Sequence, residues 1–120
     1  MSTINIKSSF FPFRFVMKDK KPVELTVEVT NTSPEKKLLS FEMTLPAVVG
    51  LGASGMQANY AKKIGDVKSG ETKTFVFPLN LSVNAEPGNF YGKATVIEHM
   101  DSFDYILKTH SKEIEVKVIK

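Results

Sequence analysis

Two stretches decide the fold: Pro22-Val-Glu-Leu-Thr-Val-Glu-Val-Thr-Asn31 and Leu38-Leu-Ser-Phe-Glu-Met-Thr-Leu-Pro46. In the first, Val23, Leu25, Val27 and Val29 alternate with Glu24, Thr26, Glu28 and Thr30. In the second, Leu39, Phe41, Met43 and Leu45 alternate with Ser40, Glu42 and Thr44. Successive side chains of a strand point to opposite faces, so each run has one apolar and one wet face. The intervening Thr32-Ser33-Pro34-Glu35 is rich in turn formers and joins the two strands. The rest of the chain must cover their apolar faces.

Further runs supply that cover. Ile4-Asn5-Ile6-Lys7 predicts a first strand. Phe10–Met17 predicts a second, broken at Pro12 and resumed, with Phe13, Phe15 and Met17 on one side. Tyr60–Val67 reads as a short strand with Ile64 buried. Over Thr74–Val83 the spacing puts Phe75, Phe77, Leu79, Leu81 and Val83 on one face, and Pro78 marks an edge or bulge. Phe90–Met100 carries Phe90, Gly92, Ala94 and Val96 toward the core, with Tyr91 placed for a tyrosine corner. Tyr105-Ile106-Leu107 is a short strand after the Asp101-Ser102 turn. Beyond Thr109-His110-Ser111 a closing strand carries Ile114, Val116 and Val118. The expectation is an all-β, immunoglobulin-like antiparallel sandwich of about seven strands in two sheets, one domain over 1–120.

Several function classes lose support from composition. The chain has 120 residues, enough for one ordinary core, and no cysteine, so neither disulfides nor thiolate metal sites hold it. Net charge is +3, a mild excess, with lysines scattered over turns. No apolar run approaches the ~18 residues of a membrane span, and no signal peptide is visible; a cytoplasmic setting is expected.

Gly50, Gly52 and Gly55 form G-x-G-x-x-G, which cradles a pyrophosphate only between a strand and a helix. No helical period follows, so the Gly50–Asn59 stretch reads as a mobile loop with positive-φ glycines and a contact surface, not a nucleotide site. His99 and His110, with Glu98, Asp101 and Asp104 nearby, would make a metal site if both imidazoles shared one face. The alternative is a polar hairpin end with unrelated histidines, and no metal or other cofactor is assigned. Asn31-Thr32-Ser33 and Asn80-Leu81-Ser82 are read as chance matches to a glycosylation acceptor. No nucleophile–base pair is evident, and Glu24, Glu28 and Glu42 lie on an outer face where they are expected to pair with lysines. No catalytic, cofactor-binding or metal-binding residue is assigned.

Four stretches carry a family resemblance: Leu25–Ser33, a strand ending in an Asn turn; Phe41–Pro46, the strand after it; Ile64–Lys73, similar to x-I-G-x-V-x-x-G-E-x-K; and Glu86–Tyr91, a Pro-Gly-x-Tyr turn into the sixth strand. Together they resemble prokaryotic immunoglobulin-like domains of the CARDB and NEW3 (alpha-galactosidase-associated) type. Glu98–Tyr105 has no counterpart in that pattern. The resemblance implies a spacer, adhesion or binding module. The favoured reading is a non-catalytic protein-interaction or assembly module, with a protein partner or self-association through an edge strand. The alternatives are a nucleic-acid or anionic-surface binder using Arg14, Lys18, Lys20, Lys21 and the Phe10–Phe15 aromatics, and last, by analogy alone, carbohydrate binding, for which Tyr60, Tyr91 and Tyr105 form no obvious row.

Overall fold

The computed structural model describes residues 3–12, 14–19, 21–52 and 54–120. Among them are nine strands and no helix: β1 (Ile4–Phe11), β2 (Phe15–Val16), β3 (Val23–Asn31), β4 (Lys37–Thr44), β5 (Val49–Leu51), β6 (Asn59–Val67), β7 (Thr72–Leu81), β8 (Gly88–His99) and β9 (Ile106–Ile119). One sheet has the order β1-β3-β7-β5 and the other β2-β9-β8-β4-β6.

The two organising strands fall in different sheets. Val23, Leu25, Val27 and Val29 of β3 are buried, as are Leu39, Phe41 and Met43 of β4. They meet in one apolar layer with Ala94 and Val96 of β8, Ile114, Val116 and Val118 of β9, and Phe77 and Leu79 of β7. Aromatic rings tie the sheets together: Phe41 stacks on Phe75 at 5.1 Å, and Tyr60 meets Phe77 edge-on at 4.9 Å.

The extra strands over the expected seven are short. β2 has two residues and β5 three, too few to show an alternation. The Phe10–Met17 run is the end of β1 and then β2, which lie in different sheets; β2 pairs parallel to β9, and Phe15 is buried. Phe13 lies outside the described residues. Pro78 sits where no strand flanks β7 on its outer side, since β5 reaches only Leu79–Leu81. The Gly50–Asn59 stretch is more structured than a bare loop. Gly50 belongs to β5, Leu51 bridges Gln57, and a Cβ at Gly50 would collide with the Gly55 carbonyl. Gly52 and Gly55 take the expected positive φ.

Three expectations need correction. Val83 is not a core residue: β7 ends at Leu81, and Val83 is exposed in the turn. Tyr91 is no tyrosine corner; it is exposed and its hydroxyl donates to Glu115 on the neighbouring strand at 3.2 Å. The strand of Tyr105–Leu107 and the closing strand are one element, β9, because Thr109-His110-Ser111 continues the ladder with β8 without a break.

Candidate functional site

The functional chemistry gathers at one end of the sandwich, where β8 runs into the connection to β9. On the core-facing side of β8, Ala94 and Val96 are followed two residues on by Glu98, so period two carries a carboxylate inward. Glu98 is 2% exposed. Its Oε2 accepts from Thr3 Oγ1 at 2.7 Å and from His110 Nε2, and its Oε1 pairs with Lys37 Nζ at 3.4 Å. Burial pushes this carboxyl up, and the bonds from His110, Thr3 and Lys37 outweigh it, holding it below the ordinary range. Glu98 thus joins β4, β8 and β9 to Thr3, the residue just before β1.

His99 turns to the other face. Its Nε2 lies 2.6 Å from Ser40 Oγ on β4, and the Phe103 ring packs edge-on against it at 5.2 Å. Its Nδ1 is buried and has no hydrogen-bond partner among the described residues. A cleft of about 380 Å³ opens beside it, lined by Ser40, Ile97, His99, Phe103, Ile106 and Lys63 among others. Lys63 Nζ lies 5.2 Å from the Phe103 ring centre. The connection also leaves Met100, Tyr105, Ile106 and Leu107 exposed, at 53%, 67%, 65% and 53%; Ile106 lines this cleft, and Met100 and Leu107 line a second pocket that also touches His99.

The two histidines therefore do not meet. His110 joins Glu98 inside, whereas His99 joins Ser40 outside. Among the described residues no group of three or more His, Asp or Glu side chains is placed to hold a metal ion. What the linear reading missed is the Ser40–His99 pair, which are 59 residues apart and brought together only because β4 pairs with β8. The dyad lacks an orienting acceptor on Nδ1, and the adjacent carboxylate, Glu98, points to the opposite face.

The other candidate residues disperse. Phe10 meets buried Phe15 edge-on at 6.3 Å and Phe11 is exposed, so the described rings of this stretch form no exposed stacking row; Phe13 and Lys20 lie outside the described residues, while Arg14, Lys18 and Lys21 are exposed. Tyr60 is packed on Phe41 and Phe77, Tyr91 is on Glu115, and Tyr105 is at the β8–β9 connection. Only Glu28 has a lysine opposite it, Lys7; Glu24 faces Phe11 and Pro78, and Glu42 faces Thr95 and Ala61. Asn31 is fully buried and its amide is engaged, which removes it as a glycan acceptor. Asn80 Nδ2 donates to Gly52 O at 2.9 Å.

No protein-family model and no curated protein matches the chain. Among solved structures, it is similar to part of a Pseudomonas fluorescens alkylpurine DNA glycosylase AlkC bound to DNA containing an abasic site analog, with TM-score 0.46 and 12% identity over 97% of this chain and 31% of that chain. It is also similar to part of a GH20 exo beta-N-acetylglucosaminidase from Vibrio harveyi, with TM-score 0.48 and 12% identity over 98% of this chain and 18% of that one. The chain spans less than a third of either. Among the described residues no helix is long and apolar enough to cross a membrane.

Proposed function

We propose that this chain is a non-catalytic protein-interaction module on an immunoglobulin-like sandwich of the CARDB and NEW3 kind, acting in the cytoplasm. It docks through the end of the sandwich where β8 passes into β9. The observation that carries the reading is the concentration of exposed apolar side chains at this connection, Met100, Tyr105, Ile106 and Leu107, each more than half exposed, with Ile106 lining the cleft beside His99 and Phe103, and Met100 and Leu107 lining a second pocket beside His99. Apolar and aromatic side chains left together in water mark interaction surfaces, and tyrosine is among the residues that dominate binding energy.

The strand orders β1-β3-β7 and β9-β8-β4 support the immunoglobulin-like part of the reading, being the A-B-E and G-F-C orders of that sandwich. β5 departs from it, since it precedes β6 in the chain yet joins the sheet of β7. The missing acceptor on His99 Nδ1 supports the non-catalytic part.

The test is a paired affinity capture with quantitative mass spectrometry, using wild type and a Tyr105→Ser, Leu107→Ser variant. Both side chains are exposed, so the variant should melt with the wild type. A partner that wild type retains should fall at least about tenfold in the variant. Equal recovery from both baits, or no partner specific to wild type, would remove the reading.

A further inference from the structure

β9 pairs with β8 along one side, from Ile106 to Val118. On its other side the only described pairing is with β2, at Val118 and Ile119. Between Lys108 and Ile114 no described strand pairs with that side, so among the described residues its backbone donors and acceptors have no ladder partner. Such a row is a template for another strand. β2 shows that this edge accepts a strand, and it seats Phe15 in the core while doing so.

The side chains along the edge say which strand would fit. Ile114, Val116 and Val118 face the core, so Lys112, His110 and Lys108 share their face. There His110 and Lys112 line a slot between β9 and β1, and Lys108 stands one step further along the same face, opposite Glu98. Lys112 Nζ donates to Ile6 O on β1 at 3.2 Å, and a cavity of about 350 Å³ lies among Ile4, Asn5, Ile6, His110, Ser111 and Lys112. Facing the row, Glu98 is already engaged by Lys37 and His110, and β1 presents Ile4 and Ile6. Lys108 and Lys112 are therefore surplus positive charge, two positions either side of His110.

Inward charges guard an edge against the wrong strand. A second copy of β9 laid antiparallel about His110 would set Lys108 against Lys112 twice, so self-pairing there is disfavoured. An acidic strand meets the opposite balance. We infer that the β9 edge from Lys108 to Ile114 takes an extended segment of a protein partner bearing Asp or Glu at alternate positions. The segment's carboxylates enter the slot beside Lys108 and Lys112, and its end lies against Leu107 and Tyr105. The inference rests on the interaction-module reading and names the partner's chemistry.

The test uses a fluorescein-labelled, N-acetylated peptide Val-Asp-Val-Glu-Val-Asp-Val, with a block peptide of the same composition, Val-Val-Val-Val-Asp-Glu-Asp. Anisotropy titrations at low and high salt are run on the full chain and on a Lys108→Glu, Lys112→Glu variant, whose melting curve is recorded because Lys112 bonds Ile6. The alternating peptide should bind saturably, at least about tenfold tighter than the block peptide, and lose at least about tenfold in the variant. A Lys108→Gln variant, which leaves the Lys112 contact in place, should lie between. Equal affinity for both peptides, an unchanged affinity in Lys108→Gln, or no saturable binding would overturn the edge assignment. If the Tyr105 and Leu107 capture still succeeds in that case, the partner docks on the apolar patch alone; if the capture fails too, the module reading falls with it.

Discussion

Two buried polar centres close the same end of the sandwich, and they are built differently. At the end of β3, Asn31 is a neutral amide with every hydrogen-bonding position used. Its Nδ2 donates to Glu35 O at 2.8 Å and Val67 O at 2.9 Å, and its Oδ1 accepts from Ser33 N at 3.0 Å and Ser33 Oγ at 2.6 Å. Its backbone pairs with Gly70 and Glu71, so one residue fastens the β3–β4 and β6–β7 turns together. At the end of β8, Glu98 and His99 divide the work between two faces. Glu98 is a charge with partners on both oxygens, and His99 keeps one nitrogen without any. A completed amide centre is a clamp. The centre beside the cleft is less complete, and it is there that the proposed docking surface is set.

The comparison breaks first at Asn31. Asn31→Ala strands the Val67 carbonyl and the Ser33 N–H, while Ser33 Oγ and Glu35 O keep their bond to each other, and unpaired buried groups cost about 1–3 kcal/mol each. A loss of at least ~3 kcal/mol is expected, near 10 °C in Tm, with no dependence on pH between 4 and 7. A smaller loss, or one that varies with acidity in that range, would mean that the clamp is not the amide.

Glu98→Gln comes next, at about 2 kcal/mol near neutral pH, since it keeps the shape but removes the charge that Lys37 and His110 pair with. The sign with pH follows from the lowered folded value. The carboxylate's contribution is complete above the ordinary glutamate value of 4.5 and is lost as the pH falls through the lower folded value. Wild type and Glu98→Gln should therefore converge in denaturant midpoint on acidification. Parallel curves down to the lowest pH would sink the assignment.

Ser40→Ala leaves His99 with both nitrogens unpaired and should cost about 1–2 kcal/mol. Ser40→Ala with His99→Leu removes the polar pair altogether and should recover most of that loss. A double variant no better than the single one would show that the Ser40 hydroxyl is not what satisfies His99. The smallest effect is expected at Lys36→Ala, within about 0.5 kcal/mol. Its pairing with Asp66 at 3.8 Å joins side chains that are 63% and 59% exposed.

Much of the fold was legible in the linear chain. β3, β4 and β7 alternate because one face of each is core and the other water, and that contrast is written locally. The asparagine turn was legible too, as a turn; its role as a junction between two turns was not, since Val67 and Gly70 come from a distant stretch. β9 was split because Thr109, His110 and Ser111 are polar on both faces. One side meets solvent and the other the slot toward β1, so continuous pairing leaves no apolar trace. Ile97, Glu98 and His99 are buried in succession, which a period-two reading cannot assign. Both faces of β8 are covered there, one by Thr3 and Lys37 and the other by Phe103.

The sequence by itself determined an all-β chain, the strands that make its core, the turns between most of them and the absence of thiol chemistry. Those properties depend on side-chain type and on neighbours a few positions away. The tertiary structure alone decided that His99 and His110 part company, that Ser40 meets His99, that Glu98 is a paired charge, and that one side of β9 has a described strand partner only at its end. Each depends on which strands lie side by side, and that follows from burying all the one-sided strands at once.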